Sequence, residues 1–479
     1  MNMVKVLLVT YFQIPFVGGL WRYMQQVKYG LEQAGHEVDI IGDGLDAFHQ
    51  IGQDDRIAKT HFKKLLDLKL NARSAPGLVG NDWVKYAEWE RYCLELTLAS
   101  HHLEQYDVIH AQDVLAAAAV RRVKPAHIPL ITSIHASAAL TVLDTLRHNP
   151  SYPIPLQSPV WKYYRAMERI GGSVSDKVLL ASHWLKGIMT EQFQLQAHQI
   201  RLIPYAMNIQ EFEENMKKSG GLIPNKQSRK VIISTSRLSP EKGMDVLLKA
   251  LGRLQQERQD WECWIVGDGD KKAEYIRQCR KLGLRGNVRF LGTRNDVAYL
   301  LAQADIFVMP SLMETLSYSV MEAQTAGLAI ASSSAGGLSE AIRHQRDGLL
   351  SPPGSDEALC QNLNLLLRDD RLREKLGRRA KKFALKNRSL DGMMAALIQV
   401  YTKAISQKQH GTAGSETPRK QKSVRGLRIS ADHYNSLFVK PLFHPDQHVN
   451  REVWDRAVLK LPPGYKLPDM RVIQEMRRD

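Results

Sequence analysis

The sequence predicts two doubly wound α/β domains facing each other across a cleft. Three observations predict it. Short apolar runs alternate with segments carrying apolar residues at helical spacing, the pattern of strands buried on both faces of a parallel sheet. The alternation occurs twice, in residues 1–211 and again in 231–385, on either side of a polar stretch, 212–230 (FEENMKKSGGLIPNKQSRK), with the composition of a linker. A chain of 479 residues, 44% hydrophobic and 24% charged, is also long enough to bury two cores without disulfide or metal staples.

In order along the chain, Lys5–Thr10 reads as the first strand. The apolar run there spans only about six residues, below the roughly 7–15 of a signal-peptide core, and no small-residue cleavage site follows. Gly18 and Gly19 break the chain. Leu20, Met24, Val27 and Leu31 then follow at helical spacing until Gly35, and Glu37–Ile41 is the next strand, completing one βαβ unit. Residues 43–105 are less regular, with a helix over Trp83–His102 and an insertion before it. Asp107–His110, Leu130–Ile134, Lys177–Leu180 and Ile200–Ile203 are further strands. The second series has strands at Val231–Thr235, Cys263–Val266, Val288–Leu291, Ile306–Met309 and Leu328–Ala331. Its helices are Asp245–Glu257, Ala273–Leu282, Asp296–Ala304 and Tyr318–Ala326. Ligands in such sheets bind outside the carboxyl ends of the strands, so two facing sets of ends make an interdomain cleft. A last helix, Leu390–Ile405, carries Met394, Leu397, Ile398 and Tyr401 on one stripe. The remainder, 407–479, reads as a basic, partly disordered tail with apolar pieces such as SLFVKPLF (436–443) and no clear fold.

Composition narrows the function classes. The four cysteines are scattered, with no CxxC, which fits a reducing cytosol and argues against a zinc ribbon or iron–sulfur site. No stretch approaches the ~20 apolar residues of a membrane span. The richest, Val114–Val120, runs into Arg121, Arg122 and Lys124. The net charge of +16 attracts nucleic acid, anionic lipid or an anionic small substrate alike. Basic runs such as REKLGRRAKK (373–382) fall on helices and lack interleaved aromatics. They read as solvated or membrane-facing surface rather than a nucleic-acid site.

The segment richest in chemistry is PSLMETLSYSVMEAQTAG, residues 310–327. Glu314 lies in the loop after a strand and Glu322 about a turn into the next helix. Between them the amides of Thr315, Leu316, Ser317 and their neighbours open that helix, and free N–H groups at a helix start bind phosphate. Carboxylates flanking a phosphate site can accept hydrogen bonds from two sets of hydroxyls, the layout of a nucleotide sugar. Taken alone, the pair serves equally well as ordinary helix-start and helix-surface acids. STSRLSPEKGMDVLLKA (234–250) adds Arg237 and Lys242 before a helix at a strand's carboxyl end, where two cations can hold a diphosphate. Each alone reads more often as a surface cation.

Together these residues resemble the retaining glycosyltransferases of family 4, which have the GT-B fold. The resemblance runs from Lys5 to about Ile405. It includes VGGLWRYMQQVKYGLEQAGHEVDII (17–41), YDVIHAQD (106–113), PLITSIHAS (129–137), RLIPYAMNIQEF (201–212), SRLSPEKG (236–243), WIVGDGD (264–270) and VRFLGTRNDVAYLLAQADIFVMPS (288–311). The Glu-x7-Glu segment and GLAIASSSAGGLSEAI (327–342) complete it. The resemblance implies an N-terminal acceptor-side domain (1–211), a linker (212–230), a nucleotide-sugar-binding domain (231–385) and a crossover helix (386–406) returning to the first domain. It implies that Gly18 and Gly19 lie near the donor diphosphate, that Arg237 and Lys242 bind it with the 315–317 amides, and that Glu322 binds the ribose. Glu314 and His135 are implied beside the transferred sugar. His110 is a second strand-end histidine, on the acceptor side, for which a structural hydrogen bond is an equal reading.

The sequence departs from the family pattern twice. Leu316-Ser317 replaces the usual Phe-Gly, although Ser317 can still cap a helix. Tyr205-Ala206 replaces the usual Asn-Gly, which alters a hinge or an acceptor-side loop. Asp268-Gly269-Asp270 has the form of a metal-binding DxD, but it sits in a turn that the family uses as a loop. The expected chemistry is therefore metal- and cofactor-free: a nucleotide diphosphate sugar (UDP- or GDP-) gives its sugar, with retention, to a glycan, lipid or surface polymer. A non-catalytic protein keeping the fold, an epimerase and a phosphorylase are the alternatives. The expected location is cytoplasmic, with peripheral contact to an anionic membrane through the basic surface and no specific nucleic-acid partner. The tail beyond Gln407 is expected to be dispensable.

Overall fold

A computed structural model describes residues 3–15, 18–53, 56–147, 149–218, 229–413, 461–462 and 465–478. The N-terminal domain is built on an eight-stranded sheet: β1 (Lys5–Gln13), β2 (Glu37–Asp43), β3 (Ala47–Gln50), β4 (Ile57–Ala58), β5 (Val108–Ala111), β6 (Leu130–Ile134), β7 (Lys177–Leu180) and β8 (Ile200–Leu202). Its order is β4-β3-β2-β1-β5-β6-β7-β8. The pairs are parallel except β2–β3 and β3–β4, where the chain doubles back. The C-terminal domain has a parallel six-stranded sheet, β11-β10-β9-β12-β13-β14. Its strands are β9 (Lys230–Thr235), β10 (Trp261–Val266), β11 (Val288–Gly292), β12 (Ile306–Met309), β13 (Ala329–Ser333) and β14 (Leu349–Ser351).

The continuous apolar runs are the central strands, as burial on both faces requires: Val6 to Val9 in β1 and all of β10 and β12 are buried. The helix Gly19–Gln33 turns Tyr23, Met24, Val27 and Leu31 inward, and Gly35 then takes φ 82°, which a side chain would resist. Periodicity fails in 43–105 for a visible reason. The helix Asp82–Ser100, capped by Asn81, buries charge as well as hydrocarbon: Arg91 lies between Glu88 and Glu95 at 2.5 and 2.9 Å. Lys59 is likewise buried between Asp43 and Glu90.

Three expected segments are corrected. Residues 209–217 form a helix capped by Asn208, so the first part of the expected linker is helical, and 219–228 lie outside the described residues. The crossover helix runs Leu390–Ala413, past the boundary expected at 406. It returns to the N-terminal domain and lies against the first helix at Gly30, where a Cβ would meet Met394 at 2.5 Å.

The third correction concerns the tail. Residues 414–460, including 436–443, lie outside the described residues. The chain's last part is not a tail at all. The helix Met470–Met476 packs on the N-terminal domain with Val472, Ile473 and Met476 inside its core. Arg122 binds Glu95 at 2.6 Å and Asp469 at 3.3 Å, donates to the Lys466 carbonyl, and lies over the Tyr465 ring. The Tyr92 hydroxyl accepts from the Asp469 amide at 2.7 Å.

Burial pushes the Asp469 carboxyl up, but hydrogen bonding to Arg471 and the charges of Arg91 and Arg122 outweigh it and hold it down at about 2. A depressed acid stabilises the fold above its unfolded pKa of about 3.9, and that stability is lost as pH falls through the folded value. Hydrogen-exchange protection of the 470–476 amides should therefore drop between about pH 4 and pH 2. In Asp469→Asn the drop should be absent. An equal drop in the variant would show that this ion pair does not hold the segment.

Candidate active site

Three turns interlock at the carboxyl ends of β9, β12 and β13. The amide of Leu312 donates to the Glu241 carbonyl at 2.8 Å, zipping the turn after β9 to the loop after β12. Gly243 takes φ 65°, and a Cβ there would stand 2.1 Å from the Pro310 carbonyl oxygen. Gly336, at φ 55°, presses as closely on the Glu314 carbonyl, which also accepts from the Gly337 amide at 2.9 Å. These backbone approaches set Lys242 Nζ 2.6 Å from Glu314 Oε2, in a pair that is 19% and 14% exposed.

Arg237 stands apart. It is 55% exposed and bonded to Glu241 at 2.9 Å. Thr315 and Leu316 are buried in the loop, and Ser317 caps the helix Tyr318–Ala326 by accepting from the Val320 amide. Glu322, on the buried face of that helix, is ion-paired with Arg22 of the N-terminal domain. Arg22 lies in the first turn of the glycine-led helix, stands over the Tyr318 ring, and has its pKa lowered by burial. The ribose carboxylate implied by the family resemblance is thus already occupied. Gly18 is extended, a conformation open to any residue, and a Cβ on Gly19 would only touch Tyr318 at 3.8 Å.

The two histidines differ in placement. His135 follows β6 in the cleft, with Nδ1 2.7 Å from the Tyr205 hydroxyl and Nε2 3.2 Å from Gln112 Oε1. Burial pushes it down to about 3, so it is uncharged at neutral pH. The loop after it is held by Glu168, which is fully buried and accepts from the Ser137 hydroxyl and the Ala139 amide. His110 is enclosed within the N-terminal core, its nitrogens bonded to Tyr401 at 2.7 Å and Ser133 at 2.8 Å. Burial and the neighbouring His135 push it down to about 3. These are the hydrogen bonds of the structural reading, and the one to Tyr401 ties His110 to the crossover helix.

Lys242 with Glu314 and Arg22 with Glu322 therefore flank the helix that Ser317 opens, and Tyr205, stacked on Tyr318 at 5.3 Å, joins them to His135. Glu340 adds a second bridge between domains, accepting from the His183 and Trp184 amides at a helix start. Asp268 is paired with Lys272 at 2.6 Å. Among the described residues no group of three His, Cys, Asp or Glu is placed to hold a metal. Nor, among them, is any helix long and apolar enough to cross a membrane. A cavity of about 1100 Å³ lies elsewhere, between the first helix and the crossover helix, and none of the expected site residues lines it.

Sequence reasoning missed Arg22, Gln112 and Tyr318. For Arg22 a signal existed: a cation in the first turn opposes the helix dipole and so asks for an acidic partner.

Comparison with known proteins bears on this arrangement. Residues 213–383 match the glycosyl transferases group 1 family, and residues 17–211 match glycosyltransferase family 4. An uncharacterized glycosyltransferase of Methanocaldococcus jannaschii is 27% identical over 413 residues, covering 84% of this chain and 98% of its own. A glycogen synthase of Mycobacterium tuberculosis is 25% identical, covering 84% and 95%. Anabaena HepE, solved with UDP and glucose, superposes with a TM-score of 0.59 at 19% identity, covering 84% of this chain and all of its own. WaaG, a glycosyltransferase involved in lipopolysaccharide biosynthesis, gives 0.56 at 19% identity, covering 84% of this chain and all of its own.

Proposed function

Because the chain belongs to the glycosyl transferases group 1 family and has the GT-B fold, we propose that it transfers a sugar, with retention and without a metal, from a nucleotide diphosphate sugar. The observation that carries this reading is the pairing of two cations with two acids around one helix start. Lys242 sits on Glu314, Arg22 on Glu322, and the amides after Thr315 lie between them. Each pair contains one group suited to a phosphate and one suited to sugar hydroxyls. A donor lying along the helix start exchanges these internal contacts for its own: the cations turn to the diphosphate, Glu322 to the ribose and Glu314 to the transferred sugar.

In this reading Lys242, the helix-start amides and Arg237 from the rim stabilise the charge that builds on the departing diphosphate. His135, uncharged, offers a hydrogen bond rather than a charge. The acceptor hydroxyl forms its bond to the anomeric carbon on the face from which the phosphate oxygen departs. Its proton passes to that oxygen, and the product keeps the donor's configuration. The UDP held by HepE makes uridine donors the first to test. The acceptor we propose is a glycan, lipid or polymer, reached from the cytoplasm, with the basic surface resting against an anionic membrane.

A thermal-shift screen of nucleotide sugars tests the donor site, since a ligand at ~100 times its Kd adds about 2.7 kcal/mol. Acceptor-dependent release of nucleoside diphosphate then separates transfer from epimerisation. Transfer should persist in EDTA. Abolition by chelation, with recovery on adding manganese, would assign Asp268 and Asp270 a metal role instead.

A further inference from the structure

We infer that Gln112 fixes the tautomer of His135 and that Tyr205, donating to the bare Nδ1, is a positioning residue that holds this imidazole and ties it to the donor-side helix. The tautomer follows from a chain of hydrogen bonds whose direction is dictated chemically. Gln112 reaches the backbone carbonyl of His110 at 3.1 Å. A carbonyl only accepts, so the Gln112 amide nitrogen faces it, and the amide oxygen faces His135. That oxygen, 3.2 Å from Nε2, also only accepts, so Nε2 carries the proton. Neutral imidazole then has a bare Nδ1, and the Tyr205 hydroxyl, 2.7 Å away, must donate to it.

The same tyrosine ring lies flat on Tyr318, at 5.3 Å and 8° between planes, and packs against Tyr23 at 5.4 Å. Tyr318 is the first residue of the helix that carries Glu322, and its ring also lies under Arg22. Tyr205 is 7% exposed, and Glu314 is near enough to act on it electrostatically. One side chain therefore touches the N-terminal histidine and the C-terminal helix at once.

The consequence rests on the proposed donor site. With Nε2–H fixed, His135 can only donate to a sugar hydroxyl, and to do so it must leave Gln112. Tyr205 holds the imidazole edge in place for that exchange. Without the phenol, Gln112 still keeps the proton on Nε2, but Nδ1 loses its donor and the imidazole edge is no longer held.

Two measurements test the inference. In protein labelled with ¹⁵N-histidine, with His135→Gln used to assign the signal, wild type should show a protonated Nε2 and a bare Nδ1 at His135. Tyr205→Phe, which keeps the ring stack, should leave the proton on Nε2 and move the bare Nδ1 signal, which loses its hydrogen-bond donor, further downfield. A protonated Nδ1 in wild type, or no change in the variant, would overturn the inference, whatever the protein transfers. The second measurement is kinetic. Tyr205→Phe should lower kcat/KM for the intact sugar nucleotide by about five- to tenfold, the worth of one hydrogen bond, while affinity for free nucleoside diphosphate stays at the wild-type value. Equal losses in sugar-nucleotide and diphosphate affinity would mean a merely structural role. Tyr205→Asn, which also removes the stack, should lower Tm as well. If no nucleotide sugar is turned over by wild type, the proposed function fails while the tautomer assignment remains testable.

Discussion

Removing residues 461–479 is expected to leave an N-terminal domain that does not fold. Val472, Ile473 and Met476 are buried in its core, and full burial of such side chains is worth roughly 1.5–3 kcal/mol each. Arg122, 11% exposed at its side chain, would lose Asp469, the Lys466 carbonyl and the Tyr465 ring together. Glu95, wholly buried, would face Arg91 and Arg122 across a newly opened surface. Removing one partner of a buried pair costs about 3–5 kcal/mol. These losses together approach the roughly 5–15 kcal/mol that holds a typical domain folded. Insoluble expression, or loss of a cooperative urea transition in the first domain, is the expected result. A truncated protein with the wild-type transition midpoint would reduce the helix Met470–Met476 to a passive attachment. Ile473→Asp tests the same surface with a single change and should lower the midpoint in the same direction.

Lys242→Ala is expected to weaken nucleoside diphosphate binding about 10- to 100-fold, the worth of a charge-assisted hydrogen bond of roughly 1.5–3 kcal/mol, and to slow transfer by at least as much. The sequence alone put Arg237 level with Lys242. The structure ranks them. Lys242 is largely enclosed and aimed at Glu314, whereas Arg237 is 55% exposed and shared with Glu241, so water and Glu241 discount its contribution. Arg237→Ala should accordingly cost severalfold less. Glu314→Gln separates the members of the pair. It frees Lys242, so diphosphate affinity should hold or rise while turnover falls. Isothermal titration with UDP, beside initial rates, reads both quantities. Undiminished UDP affinity in Lys242→Ala would remove this turn from the donor site.

The primary sequence determined the fold class, because two-faced burial writes itself as uninterrupted apolar runs. β1, β10 and β12 are such runs, and the helices between the strands show their stripes. It also brought Lys242, Glu314 and Glu322 into view, since each sits within a local turn or helix start whose chemistry is legible from neighbouring residues. The antiparallel β3 and β4 were not legible, and of the helix Asp82–Ser100, expected over Trp83–His102, the sequence showed the presence but not the buried charge. Their buried ions, Lys59 with Asp43 and Glu90 and Arg91 with Glu88 and Glu95, look like surface residues until the partner is in place. The same holds for the last helix. Its three core residues span only seven positions, and only the surface offered by the helix Pro159–Ser173 gives them somewhere to go. Partner choice across the cleft was likewise a tertiary decision. Arg22 and Glu322 are 300 positions apart, and Tyr205, already on His135, meets Tyr318 only where the two domains close on each other. Hydrophobic periodicity is local and survives in one dimension, whereas the pairing of a buried charge or hydroxyl depends on which distant group arrives to satisfy it.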